Sequence, residues 1–385
     1  MHTKKIEQLL MSFLFTGLIF IHIIMSLALA VGPEEMERLC SYLILGMGFL
    51  MFGTSFFCNN KLTGRDFLFL LFVIFCMLVG AYRRWEYENV VSASCFLLMM
   101  SVWRSAEAMT LSKVMLQRIC VIYILQGLVL IGLFFSPYAY ESYVDFVEVS
   151  RQLTLGYANP NQTGIILLST VMILLILCDQ SFIHKGLKLV IYIESCFLGL
   201  LLILTDARTS ILGGVVFLIY FVLVIKKKKQ IRRNEIFEDV VVCCPILFVP
   251  FYLWLSDVLA GQTYRFWGKK LISGRQRVYR RVLNQWWDHA LGNLKKFNMQ
   301  NFHNAHFTVL LNFGVIGFSI YLLFTFAAFC AFRAQCRTPR QFLCLISILV
   351  LFFISCAESA VLVNGTIYYI YMLVLLVLGY SVEEQ

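Results

Sequence analysis

The chain has 385 residues, 60% of them hydrophobic and only 14% charged, with a mean hydropathy of +0.79. A soluble domain carries roughly a quarter charged residues, so this composition excludes a globular domain on a single anchor and points to a polytopic membrane protein. The formal charge of +10 comes with no basic soluble module, which argues against nucleic-acid binding and for an orientation signal plus an anion site.

The first apolar run, 9–31, follows MHTKK. It is too long for the core of a signal peptide, and VGPEE offers no small-residue cleavage site, so it reads as the first span. Further apolar segments fall at 39–58, 66–82, 88–103, 119–136, 163–180, 187–205, 210–225, 240–256, 307–332, 342–357 and 366–381. The expected fold is an all-α polytopic membrane protein, a single integral membrane domain of about twelve transmembrane helices. Segment 88–103 is short for a hydrocarbon core of about 30 Å, so it is expected to be tilted or partly re-entrant. There is no fixed-period repeat, and the KKKK tract at 226–229 is the one low-complexity stretch. Thirteen cysteines lie scattered along the apolar runs with no C-x-x-C, as small buried hydrophobes do; neither a disulfide framework nor a zinc site is expected.

Orientation follows from Lys and Arg in the connections. With the N-terminus inside, the short inside segments hold 18 and the short outside ones 5 (Arg38, Arg83, Arg84, Arg151, Arg208). Both termini are therefore expected in the cytoplasm, and the long 256–305 connection outside. That extracytoplasmic loop carries nine Lys/Arg against Asp257 and Asp288, with three tryptophans, as a surface for an anion does.

Four polar clusters map to the outer face under this topology: GYANPNQTG (156–164), TDARTS (205–210), SGR (273–275) and HNAH (303–306). In the first, Asn159 reads as an N-cap with Pro160 at the first helical position. Asn159 and Asn161, after a Tyr-rich stretch (Tyr138, Tyr140, Tyr143, Tyr157), suit a carbohydrate platform. Arg208 admits two readings, an interfacial arginine pairing with Asp206 or a guanidinium fork for phosphate. Arg275, Arg277, Arg280 and Arg281 flank an apolar face of Val278, Val282, Leu283 and Trp286. That pattern is an amphipathic helix at the interface, bound to headgroups or to an anionic substrate. Arg275 stands apart at the helix N-terminus, where the dipole favours an anion. His303 is either a structural histidine at a helix start or a general base; no carboxylate or thiolate adjoins it in sequence, so no metal is expected there.

HNAHFTVLLNFGVIG, with His303, Asn304, Gly314 and Gly317, resembles the motif of the O-antigen polymerase and O-antigen ligase superfamily. TDARTSILGG resembles that family's arginine segment, with Arg208 in the arginine's place. SGR followed by ALGN (290–293) resembles the start of its large external loop, and GYANPNQTG its Asn-Pro-Asn stretch. The resemblance implies a GT-C-like membrane glycosyltransferase of the bacterial plasma membrane. Its substrate would be a polyprenyl-diphosphate-linked oligosaccharide, as donor and as acceptor, joined into capsule or O-antigen-like chains without cofactor or metal. It further implies His303 as base and Arg208 and Arg275 as stabilisers of the leaving diphosphate. Asn159, Asn161, Asn304, Arg277, Arg280 and Arg281 would contact substrate, and a chain-length regulator and a flippase would be pathway partners. A ligase and, less directly, a lipid-oligosaccharide flippase are the alternatives.

Overall fold

A computed structural model describes residues 2–59, 61–144, 149–178, 183–227, 235–259, 265–266, 269–270, 275–286, 291–292, 303–358 and 366–380. Among them are thirteen helices: α1 (His2–Val31), α2 (Glu34–Cys58), α3 (Gly64–Arg83), α4 (Tyr87–Glu107), α5 (Lys113–Phe134), α6 (Pro160–Cys178), α7 (Lys185–Leu204), α8 (Arg208–Lys227), α9 (Glu235–Val258), α10 (Arg275–Trp286), α11 (Ala305–Gln335), α12 (Pro339–Ser355) and α13 (Thr366–Tyr380). Twelve coincide with the twelve apolar segments read from sequence, and α10 lies inside the long connection.

In hydrocarbon no water can satisfy backbone N–H and C=O groups, so apolar segments of this length become helices. Eight of the described helices are long and apolar enough to cross a membrane: α1, α2, α3, α5, α6, α7, α11 and the Val241–Val258 part of α9. The chain is a multi-pass, all-α membrane protein. Helices α8, α12 and α13 carry shorter apolar stretches. Helix α4 runs 21 residues but is interrupted by Ser92, Ser94, Ser101, Arg104 and Ser105. Helices α6 and α13 are buried along nearly their whole length and form the centre. Around them, large apolar side chains such as Phe20, Leu50, Met77, Ile193 and Leu323 are exposed outward, as lipid-facing residues are.

Local signals start the helices. Thr63 and Asp66 form a capping box on α3, and Thr338 and Gln341 form another on α12, with Pro339 in the first turn. The connection before α6 holds an antiparallel hairpin, β1 (Tyr140–Val144) with β2 (Val149–Leu153). A second, two-residue pair, β3 (Arg265–Phe266) and β4 (Lys269–Lys270), lies in the long connection.

The two ends of the bundle differ. At one, Arg104 forms a buried ion pair with Asp66 at 2.9 Å and donates to the carbonyls of Lys61 (3.0 Å) and Asn59. Arg65 pairs with Glu107 at 2.6 Å and donates to the Tyr380 hydroxyl at 3.3 Å. These cations are consumed in tying helix ends together. At the other end, Gly156 backs onto the Ala30 carbonyl, Arg83 donates to the Gly292 carbonyl at 2.8 Å, and Arg275 donates to the Ala357 carbonyl at 2.7 Å. Gly164 of α6 packs against Ala207 and Ser210 at the head of α8. The polar clusters read from sequence are stitched together at this second end.

Candidate functional site

Arg275 is the first residue of α10, and the helix is turned so that Arg275 and Tyr279, one turn on, face the bundle. Tyr279 is wholly buried in a small core with Val249 of α9 and Phe307, Leu310 and Leu311 of α11. Tyr279 adds an anchor to the expected apolar face, with Leu283 packed beside it and Val278 half-buried; the side chains of Val282 and Trp286 lie outside the described residues. Burial pushes the Tyr279 phenol up, with Arg275 opposing, so it remains a donor, and its hydroxyl donates to the His303 carbonyl at 3.3 Å.

His303 precedes the start of α11 in a left-handed conformation, φ 47°. Such a backbone costs a non-glycine residue about 1–3 kcal/mol and persists only where its surroundings enforce it. The enforcement is visible: Asn304 caps α11 by accepting the Phe307 N–H at 2.8 Å, and Tyr279 holds the His303 carbonyl. Asn304 is fully buried, and its Nδ2 has no hydrogen-bond partner among the described residues.

The residue that joins these segments is Glu358, which the sequence reading did not single out. It follows α12 in a last turn closed by its own N–H and that of Ala357, both to the Ile354 carbonyl at 2.9 Å. Its Oε1 accepts from Arg275 Nη2 at 3.0 Å, and its Oε2 lies 3.8 Å from His303 Nδ1. Burial alone would disfavour the charge on Arg275; Glu358 and Tyr279 outweigh it and leave the guanidinium above its ordinary value. A carboxylate beside His303 was legible only as an acid at an apolar segment's end, since it comes from a distant helix.

The second half of the site lies at the heads of α6 and α8. Asn159 accepts the Gln162 N–H at 2.8 Å, the N-cap expected of it. Thr163 donates to the Thr154 carbonyl at 2.6 Å, folding 154–163 back on itself. Asn161 is half-buried on the first turn of α6. Tyr157 is wholly buried, so it offers no face to a sugar, whereas Tyr138 is exposed. Arg208 opens α8 directly after buried Ala207, with Asp206 in the left-handed region at φ 55°. Gly213, one turn and a half on, packs against Val350 and Ile354 of α12, the helix that ends at Glu358.

Not every expected contact converges. Arg277, Arg280 and Arg281 are exposed on the side of α10 away from Tyr279, and Arg280 pairs with Asp257. They therefore point away from the Arg275–Glu358–His303 cluster. Ser273 and Gly274 of SGR, and Ala290 and Asn293 of ALGN, lie outside the described residues. His306 is a packed residue, its Nδ1 2.9 Å from the Tyr321 hydroxyl and Nε2 3.3 Å from the Phe352 carbonyl. No group of three metal-ligating side chains occurs among the described residues. No protein-family model matches the chain, and no curated protein matches it significantly.

Proposed function

We propose that the protein is a membrane glycosyltransferase that joins lipid-diphosphate-linked oligosaccharide units into a surface polysaccharide. The observation that carries this reading is that Arg275 and His303, from separate segments, meet on the buried Glu358 carboxylate. They do so at the bundle end that also holds 154–163 and 205–210. Transfer from a diphosphate to a hydroxyl needs a base for the acceptor and cations for charge growing on the leaving group. His303 is the base. Arg208 and Arg275 are the guanidinium forks, matched to phosphate oxygens. Asn159, as cap, fixes the α6 head on which Asn161 meets the acceptor, and Asn304 presents its spare donor beside the base. Lipid tails lie along the apolar outer faces of the bundle. The fold is of the GT-C kind, and the site faces the extracytoplasmic side of a bacterial plasma membrane.

Purified protein given only lipid-linked repeat units is expected to extend them into a ladder and release lipid diphosphate. Arg208→Ala and His303→Ala should each abolish the ladder while the protein still inserts. Arg208→Lys should remain poor, since an ammonium cannot reproduce the fork. Transfer of preformed chains to an added acceptor, with no ladder from repeat units alone, would replace polymerase by ligase.

A further inference from the structure

Glu358 divides one carboxylate between two partners. Arg275 is hydrogen-bonded to it at 3.0 Å, while His303 Nδ1 stands at 3.8 Å, within ion-pair range but longer than a hydrogen bond. The carboxylate side chain is 9% exposed and Arg275 19%, so the pair is largely out of water and its attraction is little screened. Both other participants are fixed at the backbone, Glu358 by the last turn of α12 and His303 by the Asn304 cap and the Tyr279 hydroxyl. Only side-chain torsions separate the present arrangement from one with Glu358 on His303.

Arg275 is thus neutralised by an internal anion, the opposite of what a leaving-group stabiliser needs. A diphosphate offers more charge and more acceptor oxygens than one carboxylate and competes for the same fork. We propose that Glu358 is a shared carboxylate: it holds Arg275 until the donor diphosphate takes that fork, and is then released to His303. There it orients the imidazole through Nδ1–H and stabilises its protonated form. This rests on the glycosyl-transfer reading and adds a condition to it, that the base is armed only when a donor is bound. The step balances. The acceptor oxygen bonds the anomeric carbon as the carbon–oxygen bond to phosphate breaks. The electron pair leaves on the diphosphate, and the hydroxyl proton passes to His303 Nε2. Glu358 is a positioning residue; it touches neither sugar.

The test uses the full chain in detergent, undecaprenyl diphosphate as probe, and diethyl pyrocarbonate modification of His303 read by mass spectrometry. With modification run at a pH that keeps the imidazole neutral, the lipid diphosphate is expected to speed it several-fold, because a carboxylate accepting from Nδ1–H makes Nε2 the stronger nucleophile. Glu358→Gln, which keeps volume and an acceptor for Arg275, should still bind the probe, seen as a thermal shift, yet lose that acceleration. Its polymerisation rate should fall by about 100-fold. The acid limb of its pH–rate profile should move to lower pH, and Glu358→Asp should recover part of both. Slowing by the probe in both proteins would mean simple occlusion and would overturn the relay while leaving glycosyl transfer standing. Failure of the probe to bind either protein would overturn both.

Discussion

At the scale of single residues, the candidate site contains a buried ion pair, Arg275–Glu358, and such pairs are asymmetric in their energetics. Removing one partner strands the other charge out of water and costs about 3–5 kcal/mol, whereas removing both is often close to neutral. Arg275→Ala is therefore expected to lower the unfolding free energy by about that amount, and adding Glu358→Gln should restore most of it. Denaturant unfolding of the two proteins in one detergent checks this; equal stability of the single and double variants would show that the pair is not the strut it is taken for. The cap at Asn159 was legible in the sequence, because Asn before a proline at the first helical position satisfies the first free N–H groups of a helix. Glu358 was not, because its partners lie far away in the chain and no local pattern marks a tertiary ion pair. The positive φ of His303 was hidden for the same reason, since tertiary contacts impose it.

At the scale of elements, hydrophobic length carried most of the information. All twelve apolar segments became helices, because in lipid the alternative leaves backbone groups unsatisfied. What periodicity overlooked on α10 was Tyr279, which lies within the apolar face read from sequence and packs against α9 and α11 beside Leu283. The β1–β2 hairpin was missed because its short strands carry mixed Tyr, Ser, Glu and Arg rather than clean alternation. Two glycines make contrasting predictions. Gly292 sits at φ 93°, and a Cβ there would run into the Asn312 carbonyl of α11. Gly292→Ala should destabilise by about 1–3 kcal/mol. Gly132, late in α5, has open space around its Cβ position, so Gly132→Ala should be neutral or stabilise by up to about 1 kcal/mol. Thermal unfolding of the pair in detergent distinguishes them; the same response from both would remove the close-approach argument at Gly292.

At the scale of the molecule, the two bundle ends have separate tasks: one consumes its cations in Arg104–Asp66 and Arg65–Glu107, the other gathers the candidate site. Placing the second end outside rests on the 18 to 5 distribution of basic residues. Cysteines substituted at Gln262 and Gln230 test it in intact cells with an impermeant maleimide, scored against the unsubstituted chain. Labelling of Gln262→Cys with protection of Gln230→Cys is expected; the reverse would invert the molecule and remove the site from the extracytoplasmic side. The break in α11 has a mechanical consequence. Gly314 holds φ 65° and ψ −167°, a conformation open essentially to glycine alone, so Ala305–Phe313 is set at an angle to the rest of α11. That segment is about 14 Å long, so ten degrees in the angle set at Gly314 displaces its tip by about 2.4 Å. His303 rides on that tip, 3.8 Å from its carboxylate. A side chain introduced at Gly314, by changing that angle, would therefore carry His303 out of reach of Glu358 without touching either residue.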